Sequence, residues 1–380
     1  MTVTIPPPPV PGASPSPFTP TFGVIPPALV GRQAEVNDFA YALDSGPGAT
    51  GRATLVTGQR GVGKSVLLHV FHEVAASRQW LSVHAQASPG FAASLTATRL
   101  PEALAALDAA DTVESSVVGV TLPFGAGGLT TRTESTNPLT PDFRHQLMRV
   151  LAILADHGTG LVLTLDEVHR SQLDELRLVT DAIAYAFSQE APVAFVAAGL
   201  PQAITSLVDD DVSTYLRRAE RVTLGNLSPE NTRIALEAPI TQAGKTITRE
   251  ALEAAIAASG HYPFLIQLIG DRSWRAAGDD DVITAVHVEE ALARARSAMH
   301  RQIHEPAIGG LTEKERSYVL AMAADEDRSR TAEVARRMGV TAKYGSVYRE
   351  RLITRGVIEP AGRGYVRFTL PYTREYLLEG

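Results

Sequence analysis

The chain has 380 residues, enough for two or three folded units with ample core, and it lacks cysteine, which excludes a disulfide framework and thiolate chemistry. Its formal net charge of -7 argues against a protein that coats nucleic acid indiscriminately, though a local basic surface fits inside an acidic chain. Apolar runs fall short of a membrane span and the N-terminus lacks the basic start of a signal peptide, so a soluble, cytoplasmic protein with no membrane partner is expected.

Residues 1–28 hold ten of the 24 prolines and no charged residue, with Pro6 to Pro9 in a row. Such a stretch favours polyproline II or disorder and is expected to be a tail. Ordered sequence begins at Ala28-Leu29-Val30-Gly31-Arg32, followed by helical spacing through Val36, Phe39, Ala40 and Leu43.

The apolar strand Thr54-Leu55-Val56-Thr57 then runs into Gly58-Gln59-Arg60-Gly61-Val62-Gly63-Lys64-Ser65, and Val66, Leu67, Leu68, Val70 and Phe71 give the helix after it. This is the full G-x-x-x-x-G-K-[ST] spacing in its strand-to-helix context, and it predicts a phosphate cradle. The glycines let backbone amides turn inward, and the N-terminus of the helix adds partial positive charge. Lys64 reaches the β and γ phosphates, and the Ser65 hydroxyl supplies one ligand to Mg²⁺.

A second strand signal covers 80 to 86. Between it and the next strand, Val113 to Ser135 is β-prone and punctuated by glycine, which predicts an inserted hairpin. Leu161 to Leu165 is a continuous apolar run of the buried parallel kind, and it ends in Asp166-Glu167. Asp166 is placed to hold Mg²⁺ and Glu167 to polarise an attacking water, a pairing that suits hydrolysis. Further strand signals fall at 192 to 198 and 221 to 224. Strands alternating with helices predict an α/β fold, an αβα sandwich around a parallel sheet, with nucleotide at the carboxyl ends of its strands.

From Ser228-Pro229 the chain turns helical and alanine-rich as far as residue 300, with Ser228 and Thr248 as caps. Gly260-His261-Tyr262-Pro263-Phe264 breaks two of these helices, as a lid over a nucleotide base would, and His261 reads as a capping or packing residue. The last 70 residues predict a capped helix from Leu311, a second over Thr331 to Met338, a third over Thr341 to Arg355, and a hairpin through Gly356-Val357-Ile358 and Tyr365 to Phe368. Three helices and a two-stranded wing make a winged helix-turn-helix, whose third helix commonly enters the DNA major groove. From Arg328 through Arg367, ten Lys or Arg stand against three Glu, the footprint of a DNA contact. Lys343, Tyr344, Tyr348 and Arg349 are the candidates on the reading helix and Arg363 on the wing. A protein partner for the same module stays open.

Val30-Gly31-Arg32 with Glu35, the phosphate loop, Leu165-Asp166-Glu167, Gly199-Leu200-Pro201, the Gly260 to Pro263 break and the terminal winged helix, in that order, resemble AAA+ P-loop ATPases of the origin-recognition and archaeal-ATPase type, bordering on the STAND ATPases. The resemblance implies an ATPase core over 29–225, a helical lid over 226–305 and a winged helix over 306–380. It also implies ATP/ADP and Mg²⁺ as cofactors, homo-oligomers on ATP binding, Val30, Gly31 and Arg32 near the adenine, Pro263 in the lid motif, and Arg217 and Arg218 at the place of an arginine finger. Three departures imply slow turnover: Ala197-Ala198-Gly199 stands where a polar sensor is common, Tyr262 expands the G-x-P lid motif to G-x-x-P, and no arginine stands in the helix start after Pro263. The resemblance leaves two functions open, nucleotide state coupled to double-stranded DNA, or a nucleotide-gated oligomerisation switch that touches protein.

Overall fold

A computed structural model describes residues 15–21, 23–111, 142–209 and 215–379. The expected hairpin at 113–135 lies outside the described residues. The chain divides into two compact units, one gathering Arg32–Leu224 with Ile353–Gly356 and the other the remainder.

The first unit contains α1 (Gln33–Asp44), β1 (Ala53–Gly58), α2 (Lys64–Ala76), β2 (Leu81–Gln86), α3 (Phe91–Ser94), α4 (Leu100–Asp111), α5 (Phe143–Asp156), β3 (Leu161–Val168), α6 (Leu173–Ser188), β4 (Val193–Gly199), α7 (Pro201–Asp209) and β5 (Glu220–Leu224). The strands form one parallel sheet in the order β2-β3-β4-β1-β5, the α/β sandwich that the alternation predicts. Strand alternation sorts the side chains by face. Leu81, Val83, Leu161, Leu163 and Leu165 join Leu147, Leu151, Leu154, Leu176, Val179 and Ile183 in one apolar cluster. Each buried leucine there contributes roughly 1.5–3 kcal/mol. Against the other face lies α2, backed by α1 through stacked Phe39 and Phe71 rings 4.1 Å apart.

The second unit opens with α8 (Pro229–Gln242), the two-residue strand β6 (Thr246–Ile247), α9 (Arg249–Ser259), α10 (Pro263–Ala277), β7 (Val282–Ile283) and α11 (Ala285–Met299). Ser228 and Thr248 cap as their types dictate: Ser228 Oγ accepts from Asn231 N at 3.1 Å and Thr248 Oγ1 from Ala251 N at 3.2 Å. α9 stops where Gly260 turns left-handed, and Pro263 starts α10 at the position where a missing N–H costs nothing. Between them Tyr262 is fully buried. His261 Nδ1 lies 3.0 Å from Thr232 Oγ1, a packing histidine as expected.

The chain continues through a π-turn and α12 (Glu305–Ile308) into α13 (Glu313–Met322), β8 (Ser329–Arg330), α14 (Thr331–Arg337), α15 (Ala342–Thr354), β9 (Ile358–Pro360), β10 (Tyr365–Phe368) and α16 (Thr373–Glu379). Thr312 and Glu315 form a reciprocal capping box at the start of α13. The expected hairpin gains a third strand, because β8 pairs with the other edge of β10 to give an antiparallel order β8-β10-β9. This end is tied to the helices before it: Tyr372 Oη donates to Ala258 O at 2.7 Å and Arg296 lies over the Tyr372 ring.

The expectation of a loose tail gives way at residues 15–21. Phe18 is 4% exposed, against the bare backbone of Gly270 on α10, where a Cβ would lie 2.4 Å from its ring. Thr19 N donates to Gln267 Oε1 at 3.1 Å.

Candidate functional site

The phosphate loop is built by close approach as much as by turn geometry. A Cβ on Gly58 would lie 2.6 Å from Leu224 O and 2.8 Å from Val62 Cγ2, so the loop closes only over glycine. Gly63, at φ 98°, caps α2 in the left-handed region and hands the chain to Lys64 and Ser65. Val62 is buried beneath, while Gln59 and Gly61 are half-buried and Arg60 is exposed.

Lys64 Nζ donates to Gly58 O at 2.9 Å and Gln59 O at 2.8 Å. Burial pushes its ammonium down to about 8, with Asp166 pulling the other way and Arg60 adding to the fall. Two carbonyl dipoles do not balance a buried full charge, so the cradle is electrostatically incomplete until an anion enters. That fixes a pH dependence. Bound triphosphate favours the charged form, so the pKa of Lys64 rises on binding, and binding above about pH 8 takes up a proton. Affinity is expected to be flat with respect to this group below pH 8 and to fall by up to about ten-fold per pH unit above it. Calorimetry at pH 8.5–9 in buffers of different ionisation enthalpy measures the uptake; release of protons there contradicts the assignment.

Ser65 and Asp166 come together across the sheet. Ser65 Oγ donates to Asp166 Oδ2 at 2.5 Å, and Glu167 N donates to Asp166 Oδ1 at 2.8 Å. Among the described residues no group of three His, Asp or Glu side chains could hold a metal. A cation here would rest on one hydroxyl and one carboxylate, with phosphate oxygens and water completing the shell. Such an all-oxygen, under-filled donor set fits Mg²⁺.

Glu167 projects outward from a local irregularity. The pairing of β3 with β4 shifts between Leu165 and Val168, and Glu167 sits at φ 54°. A left-handed non-glycine residue costs about 1 kcal/mol or more, and such residues cluster at functional sites. Gln86 Nε2, at the end of β2 and in register with Asp166, donates to Glu167 Oε2 at 2.5 Å. Sequence reading missed Gln86, whose only signal is its place at the carboxyl end of a strand. The sensor position is apolar as read: Ala197, Ala198 and Gly199 are buried, and a Cβ on Gly199 would lie 2.9 Å from Val168 O.

Arg32 is half-buried just before α1, its guanidinium lowered by burial against the pull of Glu35, and Val66 is half-buried in the first turn of α2. Arg217 and Arg218 are exposed on the single 3-10 turn before β5, Arg217 Nε donating to Val208 O at 3.2 Å. In the second unit, Val30 is half-buried, Gly31 is left-handed with the Asn231 side chain against it, and Pro263 heads α10.

On α15 one of the expected DNA contacts, Tyr348, faces inward. Gly345, Tyr348 and Leu352 form the buried stripe, because Gly345 lets α14 approach so closely that a Cβ would meet the Ala335 methyl at 3.0 Å. Tyr348 is thus turned inward, its hydroxyl bonded to Tyr344 Oη at 2.8 Å. Lys343, Tyr344 and Val347 are exposed, Arg349 pairs with Glu350, and Arg363 is exposed between β9 and β10.

Residues 28–196 match the family described as AAA ATPase domain, and residues 301–377 match a domain of unknown function, DUF8462. No curated protein matches the chain. Among solved structures, it is similar to the Walker-type ATPase PABY2304 of Pyrococcus abyssi, with a TM-score of 0.65 at 14% identity over 92% of this chain and 96% of that one. It is also similar to the Aeropyrum pernix ORC2 protein in its ADPNP-ADP complexes, with a TM-score of 0.62 at 14% identity over 95% of each chain. The ADP form of that protein gives a TM-score of 0.53. The AAA ATPase domain expected over the first part of the chain is borne out for residues 28–196, and the chain shares the fold of these archaeal ATPase structures.

Proposed function

We propose that this chain is a Mg²⁺-dependent ATPase that couples its nucleotide state to DNA binding through its C-terminal module. The observation that carries the nucleotide half is the meeting of Ser65 and Asp166 at 2.5 Å beside a half-buried Lys64 whose ammonium donates to two backbone carbonyls. Lys64 and the inward amides hold the triphosphate, Ser65 and Asp166 hold Mg²⁺, and Glu167, steadied by Gln86, orients and deprotonates the attacking water. When bound there, Mg²⁺ would supply charge neutralisation on the phosphates. Val30, Gly31 and Arg32 contribute to the base site, Pro263 to the lid, and Arg217 or Arg218, exposed, to the site of a neighbouring copy in an ATP-bound homo-oligomer.

The DNA half is read from residues 306–380 as a winged helix. Its topology, three helices interleaved with a three-stranded antiparallel sheet, supports that reading. Local pairing trims the basic patch: Arg336 pairs with Glu333, Arg337 with Asp325, Arg349 with Glu350 and Arg367 with Glu359. Of the other six, Arg328 and Arg351 lie over the Tyr365 and Tyr348 rings and Arg355 falls in the first unit, which leaves Lys343, Arg363 and Arg330 as the outward basic candidates, a footprint of about three phosphates, for which a slope of log affinity against log salt near -3 is expected. Fluorescence anisotropy with a duplex across a salt series measures it, and Arg363→Ala is expected to reduce the slope by about 1.

A second reading has a specific observation behind it. Tyr344 and Val347 are 46% and 44% exposed on α15, an apolar pair beside Lys343 that also suits a protein surface. In that reading ATP gates oligomerisation and the C-terminal module contacts protein. No duplex binding at low salt, with a rise in molar mass on ATP, selects it.

A further inference from the structure

In β3, Thr164 is a polar residue with no exposure at all, inside an otherwise apolar run. Alternation places Leu161, Leu163 and Leu165 in the apolar cluster of one face, and Thr164 with Asp166 on the face that α2 covers. The hydroxyl of Thr164 is shared. His72 Nε2 on α2 and His84 Nδ1 on β2 each lie 2.8 Å from Oγ1, and the two imidazoles stand nearly edge to face, 5.8 Å apart.

Each of the three joined elements carries part of the candidate nucleotide site. Helix α2 carries Ser65, two turns before His72. Strand β3 carries Asp166 and Glu167 just beyond Thr164. Strand β2 carries Gln86, two residues past His84, and its register sets His84 opposite Thr164 and Gln86 opposite Asp166. The Ser65–Asp166 and His72–Thr164 bonds are thus two polar ties between the same helix and the same strand, one at the site and one beneath it.

A hydroxyl has one hydrogen and two lone pairs, so it donates to one neutral ring while accepting from the other. Burial keeps both rings neutral: it pushes His72 down to about 3 and His84 to about 4, the neighbouring histidines adding to the fall while Asp166 opposes it at His84. A purely space-filling role at position 164 would be served equally by valine, which has the same shape and no buried polar group needing partners.

We infer that Thr164 is a positioning residue for the magnesium site, its hydroxyl fixing the spacing of Ser65, Asp166 and Gln86 by tying α2, β3 and β2 together. The inference rests on the nucleotide reading above. Outer-shell partners of this kind commonly change metal affinity by about 10–100-fold when removed.

The test compares full-length Thr164→Val, which keeps the shape and loses the bridge, with Thr164→Ser, which keeps the hydroxyl. Mg²⁺ is titrated against turnover at fixed ATP, and ATP affinity is measured separately in EDTA. In Thr164→Val the half-saturating Mg²⁺ is expected to rise about ten-fold, with ATP affinity in EDTA close to wild type, and Thr164→Ser is expected to restore the wild-type response. Wild-type Mg²⁺ dependence in Thr164→Val overturns the inference, as does equal impairment of the serine variant. Affinity in EDTA that falls in step with the Mg²⁺ response also overturns it, since that marks general loosening. If Thr164→Val does not fold, His84→Phe cuts one arm at a half-buried position, and an unchanged Mg²⁺ midpoint there overturns the inference too. A wild-type protein indifferent to Mg-ATP refutes the nucleotide reading itself, a separate and recognisable result.

Discussion

Lys64→Ala is expected to weaken Mg-ATP binding by about two orders of magnitude, roughly 3 kcal/mol, while leaving the free protein as stable as before or more so. The two effects share one cause. The fall of the Lys64 ammonium from its ordinary value to about 8 corresponds to roughly 3 kcal/mol of net unfavourable burial, what is left after the pull of Asp166 and Glu167. Bound triphosphate turns that cost into attraction. Alanine removes both the penalty in the free protein and the attraction in the complex. Calorimetric titration with Mg-ATP and a thermal melt of the free protein check the pair. Unchanged affinity would remove Lys64 from the site, and a large drop in the melting temperature of the free protein would make it a structural lysine.

Most of the core was legible because its signals are local. The three central strands β3, β4 and β1 stand where the apolar runs place them, since a parallel strand covered on both faces has little room for polar residues and shows as a continuous run. The phosphate loop was legible for a different reason: close approach at Gly58 and a left-handed cap at Gly63 leave glycine as the workable residue, so the geometry is written as spacing. Ser228, Thr248 and Thr312 announced their helices by side-chain type, because a cap bonds to an amide only three residues away.

What escaped sequence reading depends on partners far along the chain. Gln86 finds Glu167 81 residues on, and His72 and His84 find Thr164 92 and 80 residues on, pairings that exist only once the strands are in register. Phe18 looked like part of a loose tail because its seat, the notch at Gly270, is some 250 residues away. The inward turn of Tyr348 follows from the packing of Gly345 against Ala335, which spacing within α15 alone does not fix. Two-residue strands such as β6 and β7 carry too few side chains to show a period at all.

The second large effect concerns Glu167→Gln, which is expected to lower turnover by about 10²–10⁴-fold with Mg-ATP affinity within about two-fold of wild type. Asp166 is committed to Ser65 and to the amide of Glu167, so it is poorly placed to take a proton from water. Glu167 is exposed at its carboxylate, raised out of the strand by the shift beside Leu165, and steadied on one oxygen by Gln86, which leaves the other free to face a water. Glutamine keeps the length and the hydrogen bonding but cannot accept the proton, so the loss should fall on the chemical step and ATP should accumulate on the protein. Single-turnover hydrolysis with a parallel binding titration separates the two. Turnover equal to wild type would show that another base serves the water, and a matching loss of affinity would place Glu167 in the binding of ATP instead. The left-handed backbone at φ 54° sharpens the test. Glu167→Gly relieves that strain and is expected to raise stability by about 1 kcal/mol while losing turnover as glutamine does, the pattern of a residue kept for its carboxylate at a conformational cost.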